Sequence, residues 1–152
     1  MRPFVWVRYH ATGAWMHGDR SVAPCGPRLE NATAATAFDI HISDLTIDPD
    51  HHYQFARIDR LEAGGTRPLE AIAQPGRLSL TKAISRHVVA SVLAGRQPAT
   101  HWPIRVAYRS RRGRSYETCC EIRVLGFPLG ISSVIVPCPD DSTPSTGPAE
   151  RS

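Results

Sequence analysis

Lysine is nearly missing from this sequence: of 18 basic residues all but Lys82 are arginine, a bias that a GC-rich coding sequence explains as well as function does. Long apolar runs are missing too. Nothing approaches the roughly 18 residues that a membrane-spanning helix needs. The start, MRPFVWVRYH, lacks the apolar stretch and small-residue cleavage site of a secretory leader. The chain is therefore expected in the cytoplasm or at the periphery of a membrane. No GxGxxG, P-loop or GxSxG elbow occurs, which removes the motif-borne dinucleotide, nucleotide and serine-hydrolase chemistries. The four cysteines, Cys25, Cys119, Cys120 and Cys138, match no zinc or CxxC redox spacing. Inert thiols in a reducing compartment are the favoured reading, with a disulfide such as Cys25 to Cys138 left open. No cofactor, metal or small-molecule substrate is indicated.

What is present suits one folded domain. A length of 152 residues can bury an ordinary core, and 41% hydrophobic against 21% charged residues is the balance of a globular chain. The net charge of +4 permits an acidic partner without requiring one.

The strongest local pattern is His101–Val124. Trp102, Ile104, Val106 and Tyr108 alternate with Pro103, Arg105, Ala107 and Arg109, the two-residue period of a strand with one buried face. Ser110-Arg111-Arg112-Gly113-Arg114 is a turn in which Gly113 can supply positive φ. The return strand places Tyr116, Thr118, Cys120, Ile122 and Val124 on one face, so the adjacent Cys119 and Cys120 point to opposite faces.

Earlier segments read likewise. Strands are expected at 4–9, 28–31, 38–42, from Leu45 to a turn at Asp48-Pro49-Asp50, at 53–58 and at 67–73, with Ala11–Arg20 a loop. Leu80, Ile84, Val88 and Val92 repeat every four residues between Ser79 and Gly95, which favours a short helix over 80–93 against an extended alternative. A last strand covers 131–136. The whole predicts an all-β, immunoglobulin-like β-sandwich of about seven to nine short strands over residues 1–136, followed by a disordered tail over 137–152.

Several short stretches resemble the sandwich domain of small, mostly uncharacterised bacterial membrane-anchored proteins. They are Arg2-Pro3-Phe4-Val5, Leu29-Glu30-Asn31 with Ala37-Phe38-Asp39-Ile40, Arg57-Ile58 through Leu61 with Gly64-Gly65, and the hairpin residues Trp102–Arg109, Gly113-Arg114 and Tyr116-Glu117-Thr118. The chain departs from that pattern in having Ala and Thr after Asn31, Ser110 where Asp is common, and no membrane helix. The resemblance implies an immunoglobulin-like fold and carries no activity, cofactor or catalytic residue.

Three functional readings follow. The first is a non-enzymatic binding or scaffolding module, its partner a protein or a second copy of the chain. The second is binding of nucleic acid or an anionic surface by the hairpin 105–123, where Arg105, Arg109, Arg111, Arg112, Arg114 and Arg123 face only Glu117 and Glu121. Arg109, Arg111, Arg112 and Arg114 are its candidate binding residues, although no aromatic lies within the turn to stack on a base. An opposite excess, six acids against Arg57 and Arg60 between Asp39 and Glu62, suggests charge pairing between strands or self-association. The third is a metal-dependent enzyme using His41, His51 and His52, weighed against a solvated Asp-Pro-Asp-His-His turn. Asn31-Ala32-Thr33 is a glycosylation sequon of a kind that arises by chance.

Overall fold

Apolar–polar alternation interrupted by Gly, Pro and Asp turns produces a chain of short strands. The structure, a computed structural model, describes residues 2–12, 26–72, 74, 76–125 and 130–139. The strands are β1 (Val5–Arg8), β2 (His10–Thr12), β3 (Arg28–Asn31), β4 (Ala37–Ile42), β5 (Leu45–Asp48), β6 (His51–Tyr53), β7 (Ile58–Leu61), β8 (Thr66–Pro68), β9 (His101–Arg109), β10 (Ser115–Leu125) and β11 (Gly130–Val136). Among the described residues one helix, α1 (Leu80–Leu93), precedes β9.

The fold is all-β and sandwich-like. A six-stranded antiparallel sheet has the order β2-β11-β10-β9-β4-β7, a smaller one the order β1-β3-β8, and β5-β6 form a separate hairpin. The chain crosses from the small sheet to the large one at Tyr9. There the Tyr9 N–H donates to Ser133 Oγ at 2.8 Å, and the Ser133 N–H donates to the Tyr9 carbonyl at 3.0 Å. Val5, Val7 and Leu29 from the small sheet and Ile104, Val106 and Ile122 from the large one are fully buried, as the alternation requires.

Strands outnumber the expectation because some segments divide. Residues 53–58, expected as one strand, end β6 at Tyr53, make a single bridge from Phe55 to Ala71, and enter β7 at Ile58. Tyr53 and Phe55 both face the core, so the alternation persists while the backbone changes sheets. A two-residue period reports which face is buried; it does not name the partner strand.

The helix begins at Ser79, whose side chain accepts from the Lys82 N–H, and ends before Gly95 at φ 71°. It docks through Leu80, Ala83 and Ile84, with the Tyr9 and Thr81 hydroxyls hydrogen-bonded and the Tyr53 hydroxyl donating to the Leu78 carbonyl at 2.8 Å. Only the first half of the four-residue apolar repeat is buried. Each step of four advances about 40° beyond a full turn, so Val92 has rotated about 120° from Leu80, and Ser91 occupies the inner face instead. Val92 is 61% and Leu93 81% exposed.

Asn31 is fully buried between two turns. Its Nδ2 donates to the carbonyls of Ala35 (2.7 Å), Leu61 (3.2 Å) and Glu62 (3.2 Å), while Oδ1 accepts from the Thr33 N–H and hydroxyl. The sequon is a structural joint, with no free amide to modify.

The cysteine expectation needs correction. Cys138 is bonded to Cys119, not to Cys25, which lies outside the described residues. Cys119 projects from the outer face of the large sheet, as expected, yet is buried there because Cys138 covers it. Cys120 keeps the inert reading: burial pushes its thiol pKa up, against a hydrogen bond from the Val7 backbone. The bond also fixes the first residues of the expected tail; the remainder, 140–152, lies outside the described residues.

Candidate anion-binding cleft

The arginine turn stands at the end of the longest strand pair. Ser115↔Arg109 is the last pair of the β9–β10 ladder, and the turn closes by Ser110 N–H to Arg114 O and Gly113 N–H to Ser110 O, both 2.9 Å. Gly113 adopts φ 84°, a conformation that side-chain-bearing residues disfavour.

The four candidate arginines part company here. β4 carries a bulge between Phe38 and His41 in its pairing with β9, and Asp39 within it has φ 53°. The bulge turns the Asp39 carboxylate toward two cations, Arg57 at 3.0 Å and Arg109 at 3.7 Å. Arg109 is thus beside an acid, the pairing between strands that the opposed charge excesses suggest. Arg105 similarly meets Glu117 at 3.6 Å.

Arg111, Arg112 and Arg114 instead line a cleft of about 1070 Å³ with Arg2, the small residues Ala34, Ala35 and Thr36, and Tyr116. No acidic side chain lies among the described residues that line it. Arg2 arrives from the other end of the chain because β1 packs over β9–β11 and its leading residues reach the turn. Its guanidinium sits 4.8 Å from the centre of the Tyr116 ring, a cation–π contact, and Tyr116 is itself stacked on buried Tyr108 at 6.1 Å. The short side chains at 34–36 leave the opposite wall open.

Clustered guanidiniums repel one another, and an anion between them relieves that repulsion while accepting several charge-assisted hydrogen bonds. The planar fork of arginine matches phosphate oxygens in pairs.

The histidine region is arranged differently. His41, exposed on β4, lies opposite Ala107 and has no described contact with His51 or His52. His51 and His52 point apart: His51 Nδ1 lies 2.9 Å from Asp48 Oδ1, whereas His52 sits between Thr46 Oγ1 (2.6 Å) and Asp44 Oδ2 (3.2 Å). Asp48 also faces His87 of α1 at 3.8 Å. The Ala99 N–H donates to His87 Nε2 at 3.2 Å, which places a neutral ring's proton on Nδ1, toward Asp48. Among the described residues, the one group of three ligand types with mutually close donor atoms is Glu117, Cys119 and Cys138, and both sulfurs there are spent in the disulfide.

Burial pushes the Asp48 carboxyl up, but the hydrogen bond from His51, the Asp50 backbone N–H and the charges of His51 and His87 outweigh it and hold Asp48 below the ordinary aspartate value. A depressed folded-state pKa means stability that is present above about pH 4 and lost as pH falls through the lowered value. Asp48→Asn is expected to lower stability at neutral pH and to flatten the acid limb. Urea unfolding across the acid range checks this, and an unchanged acid limb contradicts it.

Two lining residues escape sequence reading. Tyr116 keeps the face of β10 that the alternation gives it, half-buried against the core, but the alternation does not show that it also borders the cleft. Arg2 lies more than a hundred positions from the turn, and no local pattern links them. No protein family, curated protein or solved structure matches this chain.

Proposed function

We propose that the chain is a non-enzymatic binding module, an immunoglobulin-like sandwich that holds the phosphate backbone of nucleic acid in the cleft of Arg2, Arg111, Arg112 and Arg114. The observation that carries this reading is the convergence of four arginines from two distant segments on one cleft, with no acid among the described residues that line it. Its concave shape suits a strand better than a flat bilayer. The Tyr116 ring is engaged by Arg2 and Tyr108, so bases are not expected to stack on it, and recognition should be indifferent to base sequence.

Neutralising three to four phosphates predicts that affinity for duplex DNA falls roughly 40- to 150-fold for a fourfold rise in salt. The test is fluorescence-anisotropy titration with oligonucleotides and anionic vesicles at two salt concentrations, with Arg111→Ser/Arg112→Ser/Arg114→Ser in parallel. Loss of binding and of the salt slope in the variant is expected. Binding that ignores salt, or survives in the variant, overturns the reading, and binding to vesicles alone replaces nucleic acid with a membrane surface.

A further inference from the structure

Strand register gathers three metal-ligating side chains on the outer face of the large sheet. Glu117 and Cys119 are two residues apart on β10 and so share that face. β11 runs antiparallel with Val136 opposite Cys119, and the same register continued by two residues sets Cys138 beside Glu117, where Cys138 Sγ lies 3.9 Å from the Glu117 carbonyl oxygen. One carboxylate oxygen of Glu117 and the two sulfurs all lie within 4.8 Å of one another, although 19 positions separate the cysteines in sequence. In the oxidised chain the sulfurs satisfy each other. Opened, they are two thiols beside a carboxylate, a donor set that suits zinc. Tetrahedral zinc with Zn–S bonds of about 2.3 Å needs sulfurs about 3.8 Å apart, within that spread, and Cys138 is exposed beyond the end of β11, where it can move by that amount. The charges also balance. Two thiolates and a carboxylate leave one negative charge over on a divalent cation, and the Arg105 guanidinium stands 3.6 Å from Glu117 Oε2 to offset it.

We propose that reduction of the Cys119–Cys138 bond creates a zinc site formed by Cys119 Sγ, Cys138 Sγ and the Glu117 carboxylate, and that oxidation of the two thiolates expels the metal. Cys138 is exposed, so the disulfide is open to attack by a reductant. A phosphine breaks the S–S bond and becomes a phosphine oxide with the oxygen of one water, whose two hydrogens end on the sulfurs. Zinc then displaces one proton from each thiol. In the reverse direction hydrogen peroxide accepts two electrons from the thiolate pair, takes up two protons and leaves as two waters; the S–S bond forms again and the zinc departs with its charge unchanged. Three protein ligands leave the fourth position to water, on the side where Glu117 and Cys138 face solvent. Metal and disulfide thus alternate as the clasp that fastens Cys138 to β10.

The experiment titrates the full chain with Co²⁺, which reports thiolate ligation by a charge-transfer band and is displaced by Zn²⁺. Wild type reduced with a phosphine, and Cys25→Ser treated alike, should each take up one Co²⁺ per chain, while the oxidised chain takes up none. Reduced Cys138→Ser should show no thiolate band, and Glu117→Gln should bind at least about tenfold more weakly than wild type. A reduced wild type without the band, a band that persists in Cys138→Ser or disappears in Cys25→Ser, or equal affinity in Glu117→Gln overturns the three-donor site. A second measurement needs no variant: alkylation of the reduced wild type by iodoacetamide with and without Zn²⁺, read by peptide mass. Zinc should protect Cys119 and Cys138 together, and peroxide should then release one zinc for each disulfide formed. Equal labelling of both cysteines with and without zinc overturns the proposal and leaves the arginine cleft, whose described lining contains none of the three donors, unaffected.

Discussion

Asn31→Ala is expected to destabilise the protein by about 2–4 kcal/mol, a loss out of proportion to the few atoms removed. The amide has two hydrogens and faces three carbonyls. Ala35, at 2.7 Å, takes one, and Leu61 and Glu62, both at 3.2 Å, share the other. Alanine leaves those acceptors without the amide, the Leu61 carbonyl in a buried position and the other two half-buried, and an unmet buried polar group costs about 1–3 kcal/mol. The loss also reaches beyond one turn, because Asn31 ties the loop before β4 to the turn between β7 and β8, where the Asn31 N–H donates to Gly65 O and the Gly64 N–H to Thr33 O, both at 2.9 Å. Asn31→Asp should be worse than alanine at neutral pH, since it presents a buried negative charge to carbonyl oxygens. Thr33→Val should be milder, removing a hydroxyl that donates to the same Oδ1. Urea unfolding of the three variants ranks them. A loss below about 1 kcal/mol for Asn31→Ala would show that the joint holds without its amide.

Trp102→Ala should cost about 3–5 kcal/mol, the usual range for deleting a buried indole. Trp102 is 5% exposed, and its Nε1–H donates to the Ile47 carbonyl at 3.2 Å. His87 meets its ring edge-on at 5.7 Å. The side chain thus links β9 of the large sheet to the β5–β6 hairpin and to α1. Phenylalanine keeps most of the apolar volume and loses the donor, so Trp102→Phe should cost nearer 1 kcal/mol. Hydrogen exchange distinguishes a local gap from lost docking: in the alanine variant, protection is expected to fall across α1 and the β5–β6 hairpin before the β9–β10 ladder changes. Uniform loss throughout the sheet would assign Trp102 a general core role instead.

The same residues show how far a linear reading reaches. Face assignment along β9 is local, because successive side chains must point to opposite sides of a strand; Trp102, Ile104, Val106 and Tyr108 are all buried, as their alternation requires. Turn and helix boundaries are local as well: Gly113 takes its positive φ, and Ser79 and Gly95 bracket the helix. The extent of helix burial is not local. Val92 shares the apolar spacing of Leu80 yet lies off the core, and the turn geometry of a helix shows this only once the docking direction is known.

The all-β class, the arginine turn and the faces of its hairpin follow from the amino-acid sequence, since each depends on side chains a few positions apart; the helix over 80–93 is favoured there against an extended alternative, and the structure decides for it. Tertiary structure alone decided that Arg109 is drawn to Asp39 by a bulge in β4, that Arg2 joins Arg111, Arg112 and Arg114, that Cys138 closes on Cys119, and that Asn31 bridges two turns. The physical reason is the same in each case. These contacts join residues distant along the chain, and their partners are set by strand order and sheet crossing, which a local period does not encode.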